Sequence, residues 1–530
     1  MGVAARRCGG THVAPDYRAS GASRLHGAGS VANLQEAMPP TRTHLKGAYR
    51  WRFFLPFETW KARTTQSGVE TMKQVIASLR SGNWKALLAC FLYFDTGFTA
   101  WVMFGPLAPY VSKQLSLSPT QAGFLVAVPV LSASIVRVTL GNLFQSVDGR
   151  RLALLGISIS AIPSLILLFP VAPTYSMLLM LGALLGVGGA SFAIALPMAG
   201  SSYPPRVQGL VLGLAAAGNI GAVVDGFVFP TLAQHYGWQQ STAAVLPLLA
   251  LTAAAVMLWA EDRSVKSGSG TRAFAGFVVS LLSVMALVLL VDGGLFGHGK
   301  AGQLLLPALG AAVALAVLPR KYLVVLAERD TWVVMLVYSI TFGGFVGMSS
   351  YVSLLLTTQY ELSKVDAGMI MAGLAFTGAM VRPVGGLLAD RLSGVKVLLM
   401  LLLAIALCNI GFAMLMPPLR GAVALLSTLY LCFGLGNGAT FQLVPHRWKG
   451  KTGLMTGIIG AAGGIGGFYL PVVMGIAKES TGSYQWGFTT FGILAATAFA
   501  LVVILHRQWL AWSAPEKTGL TLDAAIAQAD

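Results

Sequence analysis

Four side chains set the chemistry this sequence can offer. Asp95, Arg137, Asp225 and Arg382 lie well inside long apolar stretches, whereas the other charged residues fall near their ends or between them. A charge at the middle of a bilayer costs about 2.5–3.5 kcal/mol even on a lenient insertion scale, so each needs a partner or a polar cavity. Two readings compete. Arg–Asp pairs could hold helices together, or the two guanidinium groups could form a central anion site. A guanidinium is planar, always charged, and offers a fork of donors matched to the edge of a planar oxyanion. Left unpaired, Asp95 and Asp225 are candidates to carry a proton, since a bare carboxylate is expensive so far from water. The seven histidines lie in tails, loops or segment ends, and Cys8, Cys90, Cys408 and Cys432 are too scattered for a disulfide framework or a zinc site. No metal, cofactor or enzymatic centre is expected.

Composition identifies what must position these residues. Of 530 residues, 55% are hydrophobic and only 10% charged, with mean hydropathy +0.72. A soluble domain carries about 25% charged residues to cover its surface. The excess apolar surface must face lipid, which excludes a cytosolic enzyme, a nucleic-acid module and a disulfide-stapled secreted domain. Apolar runs long enough to cross about 30 Å of hydrocarbon lie near 86–110, 120–143, 152–170, 175–200, 208–233 and 241–260, then near 273–292 and 303–319. Six more follow near 331–356, 367–389, 395–416, 421–444, 453–476 and 486–506. None alternates with period two, so the expected fold is all-α and polytopic, with fourteen spans.

With the N-terminus inside, the inner connections hold sixteen Lys/Arg and the outer ones five. That asymmetry places both termini in the cytoplasm of a multi-pass inner-membrane protein. The formal charge of +17 is therefore largely topological, and no nucleic-acid partner is needed to explain it. Residues 1–71 are rich in Arg, Gly, Ala and Ser and show no sustained periodicity or secretory signal. They read as a disordered cytoplasmic tail or as sequence foreign to the natural protein, with translation starting at Met72.

The two halves of the chain repeat. Arg137-Val-Thr-Leu-Gly141-Asn-Leu143 recurs 245 residues on as Arg382-Pro-Val-Gly-Gly386-Leu-Leu388. Gly209-x-x-x-Gly213 recurs as Gly453-x-x-x-Gly457, Gly218-Asn-Ile-Gly221 as Gly463-Gly-Ile-Gly466, and Phe98 as Phe342, at offsets of 244 or 245. Repeated six-helix halves with a site between them are a common transporter plan. An intramembrane arginine repeated in register favours the anion-site reading over the paired one. The expected organisation is an N-terminal bundle (72–260), an inserted transmembrane hairpin with linkers (261–329), a C-terminal bundle (330–510) and a cytoplasmic tail (511–530). Gly218, Gly221, Gly463, Gly464 and Gly466 would let helices approach through backbone; close packing alone explains such glycines, and a gating role follows if those helices slide or rock.

These residues resemble the nitrate/nitrite porters of the major facilitator superfamily over roughly 86–510, apart from the hairpin. GLAAAGNIGAVVDGFVFP (213–230), GLGNGATFQLVP (434–445) and GLMTGIIGAAGGIGGFYLP (453–471) are similar to the family's glycine-rich signatures. GGLLADR (385–391) and, less closely, GNLFQSVDGRR (141–151) resemble the superfamily's loop motif, and YSITFGGFVG (338–347) adds to the match. The resemblance implies that Arg137 and Arg382 bracket the anion. It further implies that Asn219 and Tyr338 supply hydrogen bonds and that Phe98, Phe192 and Phe342 surround the substrate. Fourteen spans depart from the family's twelve. The expected activity is nitrate, and with it nitrite, transport by alternating access, as a nitrite antiporter or a proton symporter acting as a monomer in the bilayer. The alternative is a 14-span drug or organic-anion/proton antiporter, which should carry acidic residues in its cavity. A membrane-bound sensor would need a soluble signalling domain, and neither tail offers one.

Overall fold

The computed structural model describes residues 80–513, apart from 205–206, 295–299 and 449–450. The expected N-terminal extension, the Met72 start and most of the C-terminal tail lie outside the described residues. The described chain is helical, and thirteen helices are long and apolar enough to cross a membrane. We label the spans α1 (Trp84–Leu115), α2 (Pro119–Phe144), α3 (Gly149–Leu168), α4 (Tyr175–Ser201), α5 (Val211–Tyr236) and α6 (Trp238–Trp259) in the first half. The hairpin is α7 (Gly270–Asp292) and α8 (Ala301–Val317). The second half holds α9 (Arg329–Gln359), α10 (Lys364–Leu392), α11 (Gly394–Leu415), α12 (Leu419–Arg447), α13 (Gly453–Thr481) and α14 (Gln485–Leu510). At 17 residues, α8 is the short one and completes the fourteen.

Several spans outrun their apolar runs. Helix α9, for instance, is 31 residues long, Arg329–Gln359, and passes the 331–356 core at both ends. Backbone groups near the hydrocarbon have no water to bond to, so the helix continues until polar side chains can cap it. Several of the N-terminal ends carry such caps. The Ser118 side chain accepts from Gln121 N–H in a capping box with Pro119 at the first turn. Asn83, Asp148, Thr174 and Ser363 likewise cap α1, α3, α4 and α10. Four spans are irregular where the sequence read continuous helix: α1 breaks at Met103, α4 breaks after Gly189, and α5 and α6 pass through 3₁₀ turns at Ala216–Ile220 and Thr242–Ala244.

The halves meet chiefly along two seams, α2 against α13 and α5 against α10, with α1 also touching α9 past its break, where Gly105 faces Ser350. Helix α13 turns a stripe of small residues to α2. A Cβ on Gly475 would strike the Pro119 carbonyl, one on Gly464 the Ser134 side chain, and one on Gly467 would come within 3.0 Å of Val130. At the same end Glu479 Oε2 accepts from Ser118 Oγ (2.7 Å) and Thr120 N–H (3.0 Å), tying the two helices together. In the other seam, a Cβ on Gly226 would sit 2.6 Å from the Gly368 carbonyl. Further along α13 the stripe continues through Gly457 and Gly453, where an added Cβ meets nothing. The α2–α13 seam thus opens toward the end that carries most of the loop arginines and lysines. The hairpin lies against this seam. Helix α7 packs on α2 and α4, α8 touches α2 and α13, Tyr469 Oη donates to the Leu304 carbonyl (2.9 Å), and Lys300 bonds Ser480.

Overpacking a tight contact costs about 1–3 kcal/mol. Gly464→Ala is therefore expected to lower the melting temperature of the detergent-solubilised protein by several degrees, while Gly457→Ala leaves it unchanged. Equal melting temperatures for the two variants would contradict the seam geometry.

Candidate functional site

Arg137 rises from α2 and Arg382 from α10, and both are buried, 1% and 7% exposed. Neither pairs with a carboxylate: among the described residues the ion pairs join Arg263 to Glu261, Lys266 to Asp262, and Arg447 to Glu328 and Asp330, outside the centre of the spans. Instead each guanidinium reaches across to the other half. Arg137 Nη1 donates to the Gly460 carbonyl on α13 (2.7 Å), and its Nη2 donates to the Gly189 carbonyl at the break in α4 (2.7 Å). Arg382 Nη1 donates to the Ala216 carbonyl at the 3₁₀ turn of α5 (3.5 Å), and its Nη2 donates to Tyr338 Oη (3.3 Å). Ala216 and Gly460 are 244 residues apart, so the two cross-seam bonds are the same contact made twice by the repeat.

Aromatic rings wall the space between the arginines. The Arg137 guanidinium carbon lies 5.7 Å from the Trp101 ring centroid, 5.3 Å from Phe192 and 5.7 Å from Phe342. The Arg382 carbon lies 5.9 Å from Phe342 and 6.0 Å from Phe441. Phe342 therefore faces both cations, at distances where the ring quadrupole attracts them. Tyr338 stacks on Phe342 at 5.1 Å and 5°, which fixes its hydroxyl toward Arg382. Two polar groups in this region lack a partner among the described residues, Arg137 Nε and Asn219 Oδ1. An unmet buried donor costs about 1–3 kcal/mol, which an acceptor ligand would relieve.

The structure thus brings Arg137, Arg382, Tyr338, Phe342 and Phe192 to one place. Asn219 is buried in the same 3₁₀ turn whose first carbonyl holds Arg382. Phe98 stands one layer back, against Phe94, Trp101 and Phe345, with no contact to either guanidinium among the described residues. Asp95 and Asp225 sit on α1 and α5, which pack together. Asp95 Oδ1 and both Asp225 oxygens have no partner among the described residues. Of the five singled-out glycines, only Gly464 faces the opposite half. Gly218 and Gly221 would press Cβ atoms on Phe94 (2.8 Å) and Thr99 (2.5 Å) of α1, and Gly463 and Gly466 on Tyr338 (2.6 Å) and Ser339 of α9.

Sequence reasoning passed over Trp101, whose position 244 residues before Phe345 was the available signal. Phe441, also outside the set named from sequence, faces Arg382. The carbonyls of Gly189, Ala216 and Gly460 leave no sequence signal, because a backbone acceptor is common to every residue type.

A profile of the Major Facilitator Superfamily matches residues 87–446. The probable nitrate/nitrite transporter NarK2 of Mycobacterium tuberculosis is 33% identical, over 77% of this chain and 92% of its own length. The chain belongs to the nitrate/nitrite porter family of the Major Facilitator Superfamily. The nitrite extrusion protein of Bacillus subtilis is 29% identical over 80% of this chain and 93% of its own. A crystal structure of a POT family transporter in complex with a thioalcohol-conjugated peptide matches with a TM-score of 0.62 at 14% identity, over 79% of this chain and 96% of that one. That likeness is one of fold. The arginine cluster lies between the two repeated halves, each guanidinium bonded across to the other half.

Tyr338 offers a clean test of how the site is held. Tyr338→Phe keeps the stacked ring and removes one hydrogen bond to Arg382, a loss of about 0.5–1.5 kcal/mol. The expected result is a rise of several-fold in the KM for transported anion with little change in stability. An unchanged KM would show that the hydroxyl does not orient Arg382.

Proposed function

We propose that this protein is a secondary active transporter that moves nitrate, and with it nitrite, across the bacterial plasma membrane by alternating access. The observation that carries this reading is the pair of repeat-related guanidinium groups, buried without a carboxylate and facing a shared aromatic ring. A planar, monovalent oxyanion can accept parallel hydrogen bonds from one guanidinium and sit against the flat rings beside it. The names of the relatives support this cargo over a drug or organic-anion one. One anion between two cations leaves the site net positive. The empty site then resists closing by self-repulsion and the loaded one closes readily, which favours exchange or co-transport over leak.

The open space beside Gly457 and Gly453, at the end assigned to the cytoplasm by loop charge, is the side from which this reading has the anion reach the site. To reach the other state, α13 and α2 part where Gly475 meets Pro119 and close where Gly457 now faces open space. For coupling, Asp95 and Asp225 are the carboxylates placed to carry a proton, since neither is neutralised by an arginine.

Vesicles reconstituted with the purified protein test both points. Nitrate uptake is driven either by nitrite on the far side or by a pH gradient, for wild type, Arg137→Lys, Arg382→Lys, Asp95→Asn and Asp225→Asn at matched protein content. Lysine keeps the charge and loses the fork, so either lysine variant should lose about ten- to a hundredfold in uptake. One of the asparagine variants should lose pH-driven uptake while keeping nitrite exchange. Near-normal uptake in either lysine variant would overturn the anion-site assignment, and intact pH-driven uptake in both asparagine variants would remove the aspartates from coupling.

A further inference from the structure

The fourteen-span count comes from a hairpin that the central site does not use, and the base of that hairpin builds a cavity of its own. Its volume is about 350 Å³, and it lies where the end of α2 meets the start of α7 and the end of α8. Arg272 on α7 and Lys321, just beyond α8, line it from opposite legs of the hairpin, together with the hydroxyls of Ser146, Ser267 and Ser269. The lining contains no carboxylate. Apolar wall is supplied by Leu318 among others, so the cavity is polar and cationic on one side and greasy on the other.

The cavity is held open by its own bonds. Ser267 N–H donates to the Gln145 carbonyl (2.7 Å), and Lys321 Nζ donates to the Gln145 side chain, so one residue at the end of α2 anchors both legs. Nearby Lys266 is already neutralised by Asp262 at 2.5 Å, whereas Arg272 and Lys321 make no ion pair among the described residues. Around the cavity the surface is lipid-like in character: Phe274 is 45% exposed, and Leu323 and Val324, on the short helix Lys321–Leu326, are 51% and 60% exposed. The cavity therefore sits at the ends of membrane-crossing helices, at headgroup level, on the side with most of the loop lysines and arginines. Basic pockets between helices at that level are suited to anionic headgroups.

We propose that this cavity binds the phosphodiester headgroup of an anionic glycerophospholipid, with Arg272 and Lys321 on the phosphate, the serine hydroxyls on its oxygens, and an acyl chain leaving along Leu318. The bound lipid joins α2, which carries Arg137, to both legs of the hairpin. The site is separate from the arginine cluster and stands whatever anion that cluster carries.

Native mass spectrometry of the full-length protein tests this after partial delipidation and incubation with phosphatidylglycerol, with phosphatidylcholine, or with inorganic phosphate alone. The expected result is a retained phosphatidylglycerol adduct in wild type, no comparable phosphatidylcholine adduct, and loss of retention by about tenfold or more in an Arg272→Gln/Lys321→Gln double variant. Arg320→Gln removes an exposed cation outside the lining and should retain the lipid. Arg272→Gln alone, at an exposed position, leaves the Lys321–Gln145 bond in place; it should keep a melting temperature near wild type and still weaken lipid retention. Equal retention in wild type and the double variant would overturn the proposal. So would equal loss in Arg320→Gln, which would indicate diffuse surface charge, or displacement of the lipid by millimolar inorganic phosphate, which would make free phosphate the ligand.

Discussion

Each half of this protein buries one guanidinium and ties it to a backbone carbonyl of the other half. A charge in this setting is tolerable only if most of its donors are satisfied; carbonyls and the Tyr338 hydroxyl meet the Nη donors without cancelling the charge, and Arg137 Nε is left over for a ligand. A carboxylate partner would have been cheaper electrostatically and would have neutralised the site. Gly189, Ala216 and Gly460 offer carbonyls because the helices are irregular or closely approached there, so the breaks in α4 and α5 and the bare face of α13 follow from the need to seat two arginines. Bonds from Arg137 to Gly460 and from Arg382 to Ala216 also cross the seams that must move. The same residues that would hold an anion therefore report the separation of the halves.

That coupling gives the glycine stripe its meaning. Where α13 runs against α2 from Gly475 to Gly464, the contact is mostly backbone against small residues, with the edge-to-face pair Phe124–Phe468 (6.2 Å) as its aromatic contact, so the seam can part with little side-chain unthreading. Past Gly460 the helices diverge. Arg137 sits at that transition, next to Gly460, where an added Cβ would lie 3.4 Å from its side chain. An anion at this point would draw the two cations and their helices together, and its absence would leave two like charges to push them apart. The hairpin, fastened to α2 and touching α13 through Tyr469 and Lys300, rides on the moving seam rather than standing apart from it.

Much of this was legible in the sequence, and the parts that were not share a cause. The spans were readable because lipid demands long apolar runs, and the arginines because their burial is costly and their spacing repeats. Tyr338, Phe192 and Phe342 entered through resemblance and do meet at the arginines, whereas Phe98 from the same source packs behind Trp101. The competing idea of Arg–Asp pairs was reasonable from burial cost alone. It fails because backbone carbonyls, silent in a sequence, do the pairing. The glycines could be recognised as close-approach positions, but their partners could not. A glycine's sequence context does not say which neighbour it faces, and four of the five face their own half. The helix breaks were hidden too, since Gly-rich apolar sequence supports both a smooth helix and a broken one.

The central claim is that two arginines, one from each half, hold a single planar anion together. Calorimetric titration of nitrate into the purified full-length protein tests it most directly, because binding is read without transport or coupling. The account predicts saturable binding of one nitrate per chain. It also predicts that Arg137→Lys and Arg382→Lys each weaken that binding by about tenfold or more, since both lose a fork of charge-assisted hydrogen bonds. Unchanged affinity in either variant, or two nitrates per chain bound independently, would contradict it.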